Sequence, residues 1–373
     1  MLERRVIKVG TSLLRGTPGR DTRQVIADLA RNIAIDYNRR NWITLVTSGA
    51  VGLGCDRLGL EGRPSEVIAL QAAASVGQGR LIGLYDTAFS EYNIRVSQIL
   101  LNRHDLSLHE RYKNSIRTLH QVLDWGVIPI INENDTVTTD ELKFGDNDSL
   151  SALVAIAIQA HELILLTDVS QLYSSDPKKD SNATPIKVVR DLIELDKLQI
   201  SAGGGSEWGT GGMMTKLAAA RMATAGGIRV RLADGRDPAV LEAILRGEDR
   251  GTLFEAPKDL FTHKKAWIAY AFQMKGVLTV NASTEKALVE DNASLMIGGI
   301  LSTEGDFEGR NTVKVLNING DEVCRGILEL GKKEINDFIS KRNNCEEGVS
   351  QISPQTVVIT QEKLILSKDI PVY

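Results

Sequence analysis

Along the first 260 residues, short apolar runs ending in small or polar residues alternate with stretches of helical periodicity. Residues 4–9 (RRVIKV) end in Gly10-Thr11-Ser12, and residues 42–46 (WITLV) end in Thr47-Ser48-Gly49. Residues 94–101 form a third run. Residues 127–131 (VIPII) break into Asn132-Glu133-Asn134-Asp135, residues 163–166 (LILL) into Thr167-Asp168, and residues 228–233 into Asp234-Gly235. Between these runs apolar residues recur at i, i+3, i+4 and i+7, the signature of a helix laid on a sheet. The pattern predicts helices over 22–40 (Val25, Ile26, Leu29 and Ile33 on one face, Thr22 as cap), 65–93, 109–125 and 217–225. It predicts another carrying Leu150, Leu153, Val154, Ala157 and Ile158. In the second of these, Gly77-Gln78-Gly79 interrupts an alanine-rich half, and residues 172–177 read as a turn. Buried strands alternating with helices imply an α/β fold, a three-layer α/β/α sandwich on a mainly parallel sheet.

Near residue 260 the pattern changes to short strands and glycine turns: 277–280, 296–301, 312–316 and 322–328, with one amphipathic helix over 284–290. At roughly 150 residues per domain, 373 residues suit two. The expected division is a catalytic domain over 1–258, a linker over 259–275, a β-rich domain over 276–352 and a tail over 353–373.

Composition narrows the partners. Net charge is −4, and residues 274–373 hold 11 basic against 15 acidic residues, so no basic field marks a nucleic-acid binder. No run reaches the ~18 apolar residues of a membrane span, and the opening residues read as a strand rather than a signal peptide. Cys55, Cys324 and Cys345 form neither a disulfide framework nor a zinc pattern, and the five histidines lack metal-ligand spacing, which together suggest a reducing cytoplasm and no protein-held metal.

Candidate chemistry concentrates in residues 130–160. Four carboxylates (Glu133, Asp135, Asp146, Asp148) and three amides (Asn132, Asn134, Asn147) flank a strand end and a helix start, where open α/β sheets bind ligands. One such cluster would be an ordinary helix cap; two exceed what capping needs. Residues 201–216 hold six of the 33 glycines and end in Gly209-Thr210-Gly211-Gly212-Met213-Met214-Thr215-Lys216. Backbone N–H groups there suit phosphate oxygens, with Lys216 as a point charge, although a flexible surface loop reads the same way. It is not a P-loop, whose glycines and lysine follow the first strand directly. Lys8, inside an apolar strand, either faces an anion or points outward. Two strand- or loop-end lysines with amides for a polar acceptor make a coherent set for phosphoryl transfer, which needs positioning and cations more than covalent help.

VIKVGTSLL, LVTSGAVGLG, VIPIINENDTV, GDNDSLSAL, LLTDVSQLY and GTGGMMTKL, in this order and spacing, resemble the amino-acid-kinase family. They resemble most its branch that phosphorylates the side-chain carboxylate of L-glutamate, the first step towards proline, and residues 276–350 resemble the PUA domain appended there. The resemblance implies ATP and Mg²⁺ as cofactors, the metal bound mainly through the nucleotide. It implies Lys8 and Lys216 on the transferring phosphoryl group, with Asp148 orienting both. It places Ser48, Gly49, Asp135 and Asn147 on glutamate, Asp135 at the α-ammonium. Lys8, Gly10, Thr167, Asp168, Thr210, Gly211, Gly212, Met213, Met214, Thr215 and Lys216 fall on ATP, with Gly10 and Gly49 as N–H donors. It further implies proline as a feedback inhibitor and a homo-oligomer, a dimer or tetramer. Glu207-Trp208 and Met214 depart from the family's smaller residues, and residues beyond 350 match nothing. The rivals are a same-fold kinase acting on acetylglutamate, aspartate, carbamate or a nucleotide, and an RNA-binding PUA protein.

Overall fold

A computed structural model describes residues 2–16, 19–102, 105–106, 109–137, 147–175, 177, 180–190, 194, 212–256, 268, 274–343 and 352–370. The chain divides into two compact units, residues 1–103 with 114–260, and residues 104–113 with 261–373.

The first unit begins β1 (Arg4–Val9), α1 (Thr11–Leu14), α2 (Thr22–Tyr37), β2 (Trp42–Val46), α3 (Ala50–Leu58), α4 (Val67–Ser90) and β3 (Arg95–Leu101). After helix α5 (His109–Asp124) come β4 (Val127–Glu133), a 3-10 turn (Asp135–Val137), α6 (Asn147–Ala157), β5 (Glu162–Thr167), β6 (Leu172–Tyr173), β7 (Pro185–Ile186) and β8 (Val188–Val189). Then follow α7 (Gly212–Ala225), β9 (Arg229–Asp234), α8 (Pro238–Leu245) and β10 (Thr252–Phe254). Eight strands form one sheet in the order β3-β4-β2-β1-β5-β9-β10-β8. Every neighbouring pair is parallel except β9–β10.

Strand alternation sorts the two faces. Ile7, Ile43, Leu45, Ile128, Ile130 and Ile164 pack with Val25, Ile26 and Ile33 of α2, Leu81, Tyr85 and Phe89 of α4, and Leu241 of α8. Val6 and Lys8 therefore face the other layer, where α6 lies on β1 and β5 and packs against α7. All eleven residues of α6 are buried, as a helix pressed between a sheet and a neighbouring helix must be. The three-layer arrangement is the one the periodicity predicts.

Local details differ from the sequence reading. The cap of α2 is Asp21, not Thr22: its side chain accepts from the Gln24 N–H while the Gln24 side chain accepts from the Asp21 N–H. Thr22 Oγ1 donates instead to the Leu14 carbonyl. Gly77-Gln78-Gly79 does not interrupt α4. A Cβ on Gly77 would lie 1.8 Å from the Ala50 carbonyl oxygen, and one on Gly54 would lie 1.8 Å from that of Ala73. The glycines are thus where α3 and α4 cross in backbone contact, and close approach rather than bending selects them. By length and mean hydropathy α4 would suffice to cross a membrane, although the sequence pattern contains no such uninterrupted run. It buries Leu70, Ala73, Ala74, Leu81, Tyr85 and Phe89 within this unit. Leu172 and Tyr173 pair with β7 instead of forming only a turn.

At the N-terminal ends of the strands Arg5 is buried among Asp36 (2.6 Å), Glu162 (3.3 Å) and Glu3. These carboxylates raise its pKa against the lowering effect of burial, so the buried charges remain paired.

The second unit holds β11 (Gly276–Val280), α9 (Ala282–Glu290), β12 (Leu295–Met296), β13 (Ile300–Gly305), β14 (Thr312–Leu316), β15 (Glu322–Ile327), α10 (Lys332–Asn343), β16 (Val357–Ile359) and β17 (Leu364–Leu366). Five strands form a sheet in the order β13-β11-β14-β15-β17, and β12 pairs with β16. Leu278, Val280, Leu288, Val313, Val315, Phe338 and Val358 share its core. The sequence pattern shows one helix here; the described residues from 274 onwards hold two α-helices, because α10 (KKEINDFISKRN) offers only Ile335, Phe338 and Ile339 to an apolar stripe. Residues 357–359 and 364–366, read as tail, supply β16 and β17.

Candidate active site

Two features lie at the carboxyl ends of the central strands: a buried charge cluster and a polar cavity open to solvent, next to each other in the chain at Asn147 and Asp148. Lys8 is 6% exposed and Asp148 5%. Lys8 Nζ lies 2.6 Å from Asp148 Oδ1, and Lys216 Nζ lies 3.3 Å from Oδ2. Thr215 Oγ1 also donates to Oδ2, at 2.7 Å. Lys216 Nζ donates to the Gly212 carbonyl at 2.9 Å, so the first turn of α7 folds its own lysine back over the cluster. Lys8 is thus the inward-facing lysine of the two alternatives left by its strand. Burial raises the pKa of Asp148, but Lys8, Lys216 and Thr215 outweigh it and hold the carboxyl below the usual range. Its place in the first turn of α6 acts in the same direction, through the helix dipole. Two ammonium groups around one carboxylate leave an excess positive charge in a dry site, the condition that attracts phosphoryl oxygens.

The cavity, about 510 Å³, is lined by Ser48, Gly49, Asn132, Asp135 and Asn147, among others. Four of these five were singled out from the sequence as substrate residues. Gly49 has φ 97° and opens α3, a left-handed conformation that glycine adopts without strain. Asn147, 4% exposed, donates through Nδ2 to Ser48 Oγ (2.8 Å) and Asn132 Oδ1 (3.2 Å). Asn132 Nδ2 donates in turn to Gln78 Oε1 at 2.8 Å. These bonds orient the Asn147 amide, leaving its buried Oδ1 without a donor. That oxygen is an acceptor with unused capacity.

Asp135 is half-buried at the start of its 3-10 turn, and desolvation pushes its carboxyl up to about 6. Arg63 offsets that rise only in part. A carboxylate this reluctant to ionise gains when a cation arrives beside it.

On the other side of β1, Thr167 ends β5 and accepts from the Gly235 N–H through its carbonyl. Its Oγ1 donates to Asp168 Oδ1 at 3.1 Å. Gly10 differs from expectation: its N–H donates to the Leu166 carbonyl at 3.2 Å rather than facing a ligand. A Cβ there would meet the Leu166 carbonyl oxygen at 3.4 Å and Lys8 Nζ at 3.6 Å, ordinary contacts, so Gly10 stands directly against the lysine. Gly212, Met213 and Met214 open α7 beside Thr215 and Lys216. Thr210, Gly211 and Asp146, also singled out from the sequence, lie outside the described residues.

Among the described residues no group of three or more His, Cys, Asp or Glu side chains is placed to hold a metal ion. Asp148, the carboxylate nearest the lysines, has both oxygens engaged and does not fit as a metal ligand.

Gln78, the two cavity arginines Arg15 and Arg63, and the part played by Asn132 are not apparent from the sequence. No local pattern marks them, because their relevance comes from what the fold sets opposite.

A family model described as the amino acid kinase family matches residues 3–234, and one described as the PUA domain matches residues 276–344. The chain is 46% identical over 361 residues to the glutamate 5-kinase of Prochlorococcus marinus (strain MIT 9313), covering 97% of this chain and 98% of that protein. Against the glutamate 5-kinase of Synechococcus sp. (strain CC9605) the identity is 47% over 361 residues, with 97% and 98% covered. Against that of Prochlorococcus marinus (strain MIT 9301) it is 40% over 364 residues, with 97% and 99% covered.

Proposed function

The chain belongs to the amino acid kinase family, and on that premise we propose that it transfers the terminal phosphoryl group of ATP to the side-chain carboxylate of L-glutamate. The products are L-glutamyl 5-phosphate and ADP, and the reaction opens proline biosynthesis. One observation carries the reading: a polar, amino-acid-sized cavity adjoins the buried Lys8–Asp148–Lys216 cluster through the neighbouring residues Asn147 and Asp148. The relatives named glutamate 5-kinase, alike across nearly the whole chain, support the choice of glutamate over acetylglutamate or aspartate.

In this reading the substrate carboxylate, already ionised, attacks the γ-phosphorus directly. The bond to the β-phosphate oxygen breaks, and no general base is required. Lys8 and Lys216 stabilise the charge on the transferring group, and Asp148 holds both in place without moving a proton. Asp135 and the free Oδ1 of Asn147 accept from the α-ammonium, and Ser48 keeps Asn147 turned towards it. Gly49 lets the chain pass close to the substrate. Thr167, Asp168 and residues 210–216 with Gly10 bound the nucleotide, and Mg²⁺ enters on its phosphates.

Proline, which keeps the ammonium and carboxylate but lacks the second carboxylate, suits the same cavity as an inhibitor. A homo-oligomer, dimer or tetramer, suits a sheet whose edge is β3 and a helix, α4, that leaves Ile68 78% exposed. The proposed division is catalysis in 1–258, a linker over 259–275 and the PUA-like domain from 276, whose sheets and core take in β16 and β17 of the expected tail. A cytoplasmic location suits the substrates.

The test is to supply ATP, Mg²⁺ and one acceptor, and to trap any acyl phosphate as hydroxamate. Glutamate should give product well ahead of aspartate and N-acetylglutamate; a preference for either of those sinks the assignment.

A further inference from the structure

An amino acid presents its ammonium and its α-carboxylate on one carbon, so a pocket that selects it places N–H donors or a cation within a few ångströms of its ammonium acceptors, and a cation adds the stronger bond. Lys8 and Lys216 cannot serve there. Both are engaged by Asp148, and both stand at the phosphoryl end, where the side-chain carboxylate must go. The remaining arginines that line the cavity are Arg15, just after α1, and Arg63, in the loop between α3 and α4.

From the shared cavity wall and the orphaned Asn147 oxygen, we infer that Arg63 is a specificity-determining residue whose guanidinium takes the α-carboxylate of the amino-acid substrate. The inference rests on the glutamate-kinase reading and adds the group that completes recognition of the substrate's head.

Three observations support it. Asp135 and Arg63 line one cavity, and Arg63 is the charge that offsets the burial of Asp135, which places the two close together. Among the described residues no carboxylate forms an ion pair with Arg63, so its donors are open to a ligand. Asn147, with an acceptor oxygen that no described protein group uses, lines the same cavity as Asp135 and Arg63, so ammonium acceptors and a cation share one wall. A guanidinium suits this task because its planar fork meets both oxygens of a carboxylate, which an ammonium does not.

The experiment compares L-glutamate with its α-amide, isoglutamine, which keeps the ammonium and the side-chain carboxylate. In wild type kcat/KM should favour glutamate. In Arg63→Ala the ratio of the two kcat/KM values should fall by about tenfold, the size of one charged contact. Arg63→Lys should restore part of it, and the KM for ATP should stay put. Equal loss on both compounds would make Arg63 a support for its loop and overturn the inference, as would a ratio left intact. Collapse of the ratio in Arg15→Ala but not in Arg63→Ala would also overturn it, moving the role to Arg15. A wild type that phosphorylates neither compound overturns the glutamate-kinase reading and this inference together. That outcome is distinct from a wild type that prefers glutamate while Arg63→Ala keeps the preference.

Discussion

Lys8 Nζ sits 2.6 Å from Asp148 Oδ1, joining the first strand of the sheet to the first turn of a helix 140 residues later. The pair forms because Lys8 shares with Val6 the face of β1 on which α6 packs, and because α6 starts at the carboxyl end of that strand. A lysine buried there without Asp148 would be costly, and so would Asp148 without a cation.

Lys8→Met and Lys216→Met should each lower kcat by roughly 10²-fold or more, the loss expected when a preorganised charge leaves a transition state. Lys8→Met should also lower stability by about 1–3 kcal/mol, since Asp148 keeps Lys216 and Thr215 but loses its shortest contact. Steady-state kinetics and urea unfolding measure the two effects. Normal turnover in either variant would remove that lysine from the reaction.

Asp135 should set the acid limb of glutamate binding. With its carboxyl at about 6 in the empty site, the KM for glutamate should rise as pH falls below that value, while the KM for ATP changes little. Its effect on stability has the opposite sense. The folded pKa lies above the unfolded one, so the contribution is fully present below about pH 4 and is lost as pH rises through about 6. Asp135→Asn should therefore stabilise the empty protein at pH 8, by on the order of 1–2 kcal/mol, while it weakens glutamate binding. Thermal melts at pH 5 and pH 8, with and without glutamate, decide this. Equal melting of variant and wild type at pH 8 would contradict it.

Asn132→Ala should raise the KM for glutamate about tenfold and spare the KM for ATP, because Asn147 would lose one of the two acceptors that orient its amide. Asn132→Asp keeps that acceptor and should recover part of the loss. If both variants match wild type, the amide chain from Gln78 does not position Asn147.

Gly77→Ala should destabilise the fold by about 1–3 kcal/mol, since the added methyl would collide with the Ala50 carbonyl of α3. Ala is otherwise the better helix former, so a gain in stability on unfolding would mean that α3 and α4 do not cross in backbone contact.

The layers of the first unit follow from the sequence itself. β2 and β5 are nearly continuous apolar runs, β1 is interrupted only by Lys8, and α2 carries one apolar stripe, so local periodicity is enough to place these four. The same holds for the cavity residues Ser48, Asp135 and Asn147, which stand where strands end or helices begin. Elements whose partners are distant were not legible. Among them are α10, whose surface is mostly charged, and β16 and β17, short pieces held by pairing with Leu295, Met296 and β15 and by side chains buried in the second core. Packing between elements also decided which way Lys8 points, why Gly77 sits inside a helix, and that the Gly10 N–H is spent on Leu166. Arg63 shows the division most clearly. An arginine in a loop carries no pattern of its own, and only the fold, by setting Asp135 and Asn147 around the same cavity, gives its charge something to recognise. Periodicity is a property of neighbours in the chain, whereas a binding site is a property of neighbours in space.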